Sequence, residues 1–172
     1  SGVLREEGGF EYKRRVVESI LTIIKAIPGA KESGLLTLCE FIEDCEFTYL
    51  STQILHLLGQ EGPQSAEPAR YIRYIFNRLI LENATVRASA VSALARFGAE
   101  CDDLRPRVAV LLKRALHDND DEVRDRATMY LRTLGENPDL VLAKKVSFGL
   151  KSAEGLLREY LDGGDTSKPF DL

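Results

Sequence analysis

The chain has 172 residues, 44% of them hydrophobic and 29% charged, with a net charge of −4 at neutral pH. That composition suits one helical domain with a substantial core, and the acidic balance argues against nucleic acid, whose partners need a basic footprint. No apolar run approaches the roughly 18 residues needed to span a bilayer, and the Ser1-Gly2 start has neither a charged n-region nor an apolar h-region, so no secretory signal is expected.

In chain order, Gly8-Gly9 reads as a break before the first helix, in which Tyr12, Val16 and Ile20 recur every four residues. A helix is predicted from Leu35 to Glu43. Phe47, Ser51, Leu55 and Gly59 mark the next, and the loop Gly62-Pro63-Gln64-Ser65 follows it. Arg70-Tyr71-Ile72 through Ile75 and Leu79 form another helix. Asn83 is then placed to cap a helix in which Val86, Ala90, Leu94 and Phe97 share one face of a 3.6-residue turn. The pattern returns as Arg107-Val108-Ala109 through Leu112 and Leu116, with Asp120 as the cap before Val123, Ala127 and Leu131. Gly98 and Gly135 read as helix stops. Beyond Gly135, Asp139 to Leu150 and Ala153 to Leu161 are expected to form a degenerate last pair. Residues 162–172, rich in Gly, Asp, Ser and Pro, read as a linker or tail.

These segments repeat. Val86/Val123, Arg87/Arg124, Ala90/Ala127, Leu94/Leu131 and Gly98/Gly135 all lie 37 residues apart, as do Arg70 and Arg107. A fixed period in that range marks a stacked array of helix pairs, none of which can bury its apolar face alone. Phe47, Ser51, Leu55 and Gly59 match Val86, Ala90, Leu94 and Gly98 at a spacing of 39, attributed to the 62–65 loop. Tyr12, Val16 and Ile20 match Val86, Ala90 and Leu94 at 74. The chain is therefore expected to open on the second helix of a truncated pair. The prediction is an all-α, right-handed α-solenoid of about four HEAT-like pairs over 1–161, with Val86, Ala90, Leu94, Val123, Ala127 and Leu131 in its repeat core.

Little in the chain looks catalytic. Asp118 to Glu122 lacks the Gly and Glu that a calcium loop requires, because Val123 and Met129 hold those positions, so it reads as an inter-helix turn. His56 and His117 belong to no recognisable nucleophile–base order. Cys39, Cys45 and Cys101 have no metal-ligand spacing and read as buried thiols of a cytosolic protein, and Asn83-Ala84-Thr85 reads as a cap rather than a used glycosylation site. Arg87 and Arg124, repeated in place, are expected to pair with an acid of a neighbouring turn such as Asp120 or Asp121. Arg70, Arg73, Arg78, Arg107 and Arg114 make the first helices locally basic and form a candidate partner-binding patch.

The Val-Arg-x-x-Ala-x-x-x-Leu units resemble HEAT repeats. Longer runs are more specific: Arg5 to Lys13, Leu38-Cys39-Glu40-Phe41-Ile42-Glu43-Asp44-Cys45-Glu46-Phe47-Thr48, Ile54 to Pro63, Glu122 to Thr128 and Lys168-Pro169-Phe170-Asp171-Leu172 are similar to the coatomer gamma-subunit family, one of the adaptin-like large chains. The resemblance weakens between Asn137 and Gly164. It implies the C-terminal part of a helical trunk, ending where a linker to an appendage domain begins. It further implies a coat scaffold that is not an enzyme and carries no cofactor. Its implied partners are the zeta subunit, the other large chains and, through the full trunk, Arf-family GTPases. Location would be cytoplasmic, and peripheral on Golgi membranes and on vesicles moving within the Golgi and back to the endoplasmic reticulum. A HEAT-type scaffold for a phosphatase or a transport receptor is the alternative that the repeat alone allows.

Overall fold

A computed structural model describes residues 2–142, with side chains from residue 8 onward. Those residues form seven α-helices and no strand: α1 (Gly2–Ala26), α2 (Lys31–Glu43), α3 (Thr48–Glu61), α4 (Ala69–Leu81), α5 (Ala84–Glu100), α6 (Arg105–Ala115) and α7 (Asp121–Glu136). Short 3-10 turns at Pro28–Ala30 and Gly62–Gln64 follow α1 and α3. The expected last pair from Asp139 to Leu161 and the 162–172 tail lie outside the described residues, save a helical start at 139–142.

Three complete pairs, α2/α3, α4/α5 and α6/α7, stack in succession, with α1 laid on α2. The second helices α3, α5 and α7 pack side by side, and α5 also touches α4 and α6. The result is the α-solenoid that the 37-residue period predicts. Helix α5 is central because it is made of small residues. Ala88, Ala90, Ala93, Ala95 and Ala99 are buried along it, and short side chains let neighbouring helices approach on every side. Val86, Leu94, Val123 and Ala127 are buried with Ala90 in one continuous core, while Leu131 is only partly buried against it.

Both predicted caps form. The Asn83 side-chain oxygen accepts from the Val86 amide at 3.0 Å, and that of Asp120 accepts from the Val123 amide at 3.1 Å, satisfying donors the helix leaves unpaired. The predicted stops are different. Gly98 and Gly135 lie inside α5 and α7, and Gly8-Gly9 lies inside α1. Gly98 is there for close approach, since a Cβ on it would stand 3.0 Å from Val108 Cγ1 and 3.1 Å from Leu134 Cδ1. Such a contact repays the roughly 1 kcal/mol that glycine costs within a helix.

The register of the first complete pair also differs from the expected 39. A Cβ on Gly62 would collide with the Phe97 ring, as one on Gly98 would press on Leu134. Phe97 and Leu134 are 37 apart, whereas Gly62 and Gly98 are 36 apart, as are the α3 and α5 caps Phe47 and Asn83. The counterparts of Val86, Ala90 and Leu94 are therefore Leu50, Ile54 and Leu58, all buried. A slip of three residues is nearly one helical turn and returns to the same face, so apolar periodicity fits either register. The expected face of α1 is displaced as well. Tyr12 is 71% exposed, and Val17 and Ile24 are the side chains α1 buries.

Candidate interaction face

The arginines repeated from unit to unit belong to the architecture. Arg87 grips Asp118 with two parallel bonds, Nε to Oδ2 at 2.8 Å and the second terminal nitrogen to Oδ1 at 2.9 Å, and donates to the Glu82 carbonyl at 2.7 Å. The acid it chooses is Asp118, not the expected Asp120 or Asp121, because Asp120 is occupied as a cap and Asp121 pairs with Arg124. The Arg87 guanidinium holds the Asp118 carboxyl below the usual carboxylate range, and a bond from the Asp120 amide adds to this. Arg124 repeats the internal half of the pattern by donating to the Asp118 carbonyl at 2.6 Å. The acidic run at 118–122 is thus committed to caps and ion pairs within the fold.

The five predicted patch residues divide. Arg78 is only 5% exposed. It donates to the carbonyls of Ile42 and Glu43 at 3.4 Å each and to Glu82 Oε1 at 2.7 Å. It therefore closes the C-terminal end of α2, where helix carbonyls lack partners, and is no part of a binding face. Arg105 does the same for α5, through Gly98 O at 2.9 Å and Ala99 O at 3.4 Å. Arg70 and Arg73 on α4 and Arg107 and Arg114 on α6 are exposed, joined by Lys113. Two of these cations rest on rings of α4: Arg73 lies 5.0 Å from the Tyr74 ring centroid, and Arg114 of α6 lies 5.7 Å from that of Phe76. The second contact joins the outer faces of the two helices. Val110, 62% exposed, and Ile80 and Leu81 add apolar surface there. A shallow cleft of about 460 Å³ opens at the amino ends of both helices, lined by Glu67, Pro68, Ala69, Arg70, Asp103 and Leu104.

Other polar links between units carried no signal in the sequence. Glu32 of α2 accepts from the Tyr71 hydroxyl at 2.6 Å and the Ala66 amide at 2.7 Å, which hold its carboxyl below the usual range, while burial pushes the Tyr71 hydroxyl up and keeps it a donor. Arg126 of α7 reaches Ala88 O and Ser92 Oγ of α5, and the Tyr130 hydroxyl donates to Ser92 Oγ at 3.3 Å. Nothing in a side chain's sequence position says that it will meet a partner 30 to 40 residues away.

The three cysteines are buried and unbonded to one another, and burial pushes the Cys39 thiol up to about 12. Among the described residues no group of His, Cys, Asp or Glu is arranged to hold a metal ion, and no helix is long and apolar enough to cross a membrane.

Comparison with known proteins agrees with this architecture. The family described as Adaptin N terminal region matches residues 2–138. Among relatives, "Coatomer subunit gamma-1" of Oryza sativa subsp. japonica is 73% identical over 134 residues, covering 78% of this chain and 15% of that protein. "Coatomer subunit gamma" of Arabidopsis thaliana is 71% identical over 135 residues, 78% of this chain and 15% of that protein. "Coatomer subunit gamma-1" of Bos taurus is 54% identical over 173 residues, 99% of this chain and 20% of that protein. The chain thus spans a fifth or less of the length of the curated relatives it matches.

Proposed function

Because this chain belongs to the adaptin N-terminal family, we propose that it is a scaffold segment of a coatomer gamma subunit, serving a vesicle coat through protein–protein contacts and carrying out no catalytic step. The observation that carries the reading is identity of 54–73% to coatomer gamma subunits over 78% or more of the chain. The architecture supports it. A stacked array whose units are keyed by glycine slots and a bidentate ion pair is stiff, and its curvature follows from small rotations repeated per unit. Stiffness lets several modest contacts act together when subunits polymerise. On this reading the partners are the zeta subunit and the other large chains, with an Arf-family GTPase engaging the full trunk. Location is peripheral on Golgi membranes and coated vesicles. The phosphatase or transport-receptor alternative has only the helical repeat in its favour.

The test is crosslinking of the assembled complex. Lys13, Lys25, Lys31 and Lys113 lie on described helices and offer sites for an amine-reactive crosslinker. Crosslinks from this segment to other coat subunits are the expected result. Crosslinks confined to its own chain, in a complex whose other subunits crosslink freely, would overturn the proposal.

A further inference from the structure

We propose that the outer face of α4 and α6 is a docking site for an acidic, apolar-interleaved segment of another polypeptide. The proposal does not depend on the coat reading. Helices α4 and α6 together carry seven basic residues and no aspartate or glutamate, in a chain whose acids outnumber its bases, 27 to 23. Two of the seven, Arg78 and Arg105, are consumed in closing helix ends. The other five face solvent, and none of them has an ion-pair partner among the described residues. On α1 and α7 acids are interspersed with the bases, and Arg14 pairs with Glu11 and Glu18, Arg124 with Asp121 and Arg126 with Glu122, although Arg15 and Arg132 stay exposed and without such a pair among the described residues. A merely solvated face would mix signs as those do; here the carboxylates are left to a partner.

The geometry also says what kind of partner. Arg73 and Arg114 lie on the rings of Tyr74 and Phe76, so their guanidinium forks are held in place and lose little freedom on gripping a carboxylate. Val110, Ile80 and Leu81 lie exposed on the same two helices and would be covered by apolar side chains set between the acids. Glu67 and Asp103 stand at the amino ends of the two helices beside Arg70. A flat anionic membrane spread over the face would have to accept those two carboxylates. A narrow segment running along Arg73, Val110 and Arg114 would not.

The test uses the chain as it stands and a fluorescently labelled peptide of about twelve residues built from Glu-Glu-Leu repeats, long enough in helical or extended form to cover most of the ~20 Å that α4 spans at 1.5 Å per residue. Fluorescence anisotropy should show binding that weakens with salt, and at least about tenfold weaker binding of the matching Gln-Gln-Leu peptide. The double variant Arg73→Glu with Arg114→Glu should lose about tenfold or more, and Val110→Asp a smaller amount. Arg132→Glu, a single charge reversal placed on α7, should stay within about twofold. Circular dichroism checks that each variant is folded. All these side chains are exposed, and a pair of Gln substitutions at Arg73 and Arg114 gives a milder version should the double Glu variant misfold. Binding indifferent to the Arg73 and Arg114 changes, or lost equally in Arg132→Glu, would overturn the proposal. So would vesicles containing phosphatidylserine that bind through these two arginines while the peptide does not.

Discussion

The two seams of the second-helix layer use the same key in different surroundings. At α3/α5, Gly62 receives the Phe97 ring; at α5/α7, Gly98 receives Leu134. Around the first key the polar links are sparse: the Asn83 side-chain amide donates to Thr48 Oγ1 at 2.8 Å and the Cys101 thiol to Pro63 O at 3.5 Å. The second key is laced with charge, through Arg87 to Asp118, Arg126 to Ser92 and Ala88, and Tyr130 to Ser92. Apolar packing and buried polar bonds differ in how they fail. A packed ring resists pH and salt but punishes any change of volume, whereas a polar lacing tolerates modest volume change and responds to protons.

The largest expected effect breaks the packed seam. Phe97→Ala removes a fully buried ring and should cost about 3–5 kcal/mol, against about 2–5 for Leu134→Ala. Chemical denaturation of both variants checks the order. A Leu134 variant losing more than the Phe97 variant would mean that the charged seam, not the apolar one, depends on its key. Next in size is overpacking. Ala90→Leu and Ala127→Leu insert volume at fully buried positions and should each cost about 1–3 kcal/mol. Unchanged melting temperatures would mean that these helices do not approach as closely as their alanines indicate.

Much of this was legible in the sequence, and the failures share a cause. The helices, both polar caps and the central repeat core follow from apolar period and cap chemistry, which act within a few residues. The register of α3 did not, because a shift from 36 to 39 leaves Leu50, Ile54 and Leu58 exchangeable with Phe47, Ser51 and Leu55 on a single helix face. The contact of Gly62 with Phe97 across the seam separates them, as does the 36-residue spacing of the helix starts at Phe47 and Asn83. Gly98 read as a stop because local chemistry cannot tell a helix end from a close approach. Arg78 read as a surface cation because the carbonyls it closes belong to α2, some 35 residues earlier. The other four arginines stay exposed on helices that carry no acid, and that much a sequence does show.

Acid should separate the seams next. The Asp118 carboxyl is depressed in the fold by Arg87, so its contribution is fully present above the unfolded value of about 3.9 and is lost as pH falls through the lower folded value. Asp118→Asn keeps the shape but removes the charge, leaving the mostly buried Arg87 guanidinium under-paired at a cost of about 1–3 kcal/mol. Its stability profile should be flatter than the parent's below about pH 4. Glu32 is depressed in the same direction by Tyr71 and Ala66 at the junction of α2 and α4, so Asp118→Asn should flatten the acid limb without abolishing it. An unchanged limb would show that the Arg87 bridge contributes no proton-linked stability.

The smallest expected effect isolates one bond. Tyr130→Phe deletes the hydroxyl that donates to Ser92 and leaves the buried ring in place. Ser92 Oγ still accepts from Arg126 at 3.1 Å, so no buried acceptor is stranded and the loss should be about 0.5–1.5 kcal/mol. The double change Tyr130→Phe with Ser92→Ala then sharpens the comparison, because it strips the same arginine of its hydroxyl partner. Each single change already removes the Tyr130–Ser92 bond, so if the two groups are coupled the double variant should lose less than the two single losses added together, read by urea unfolding at neutral pH. Simple additivity would reduce the charged seam to independent bonds laid over the same glycine key that serves its apolar neighbour.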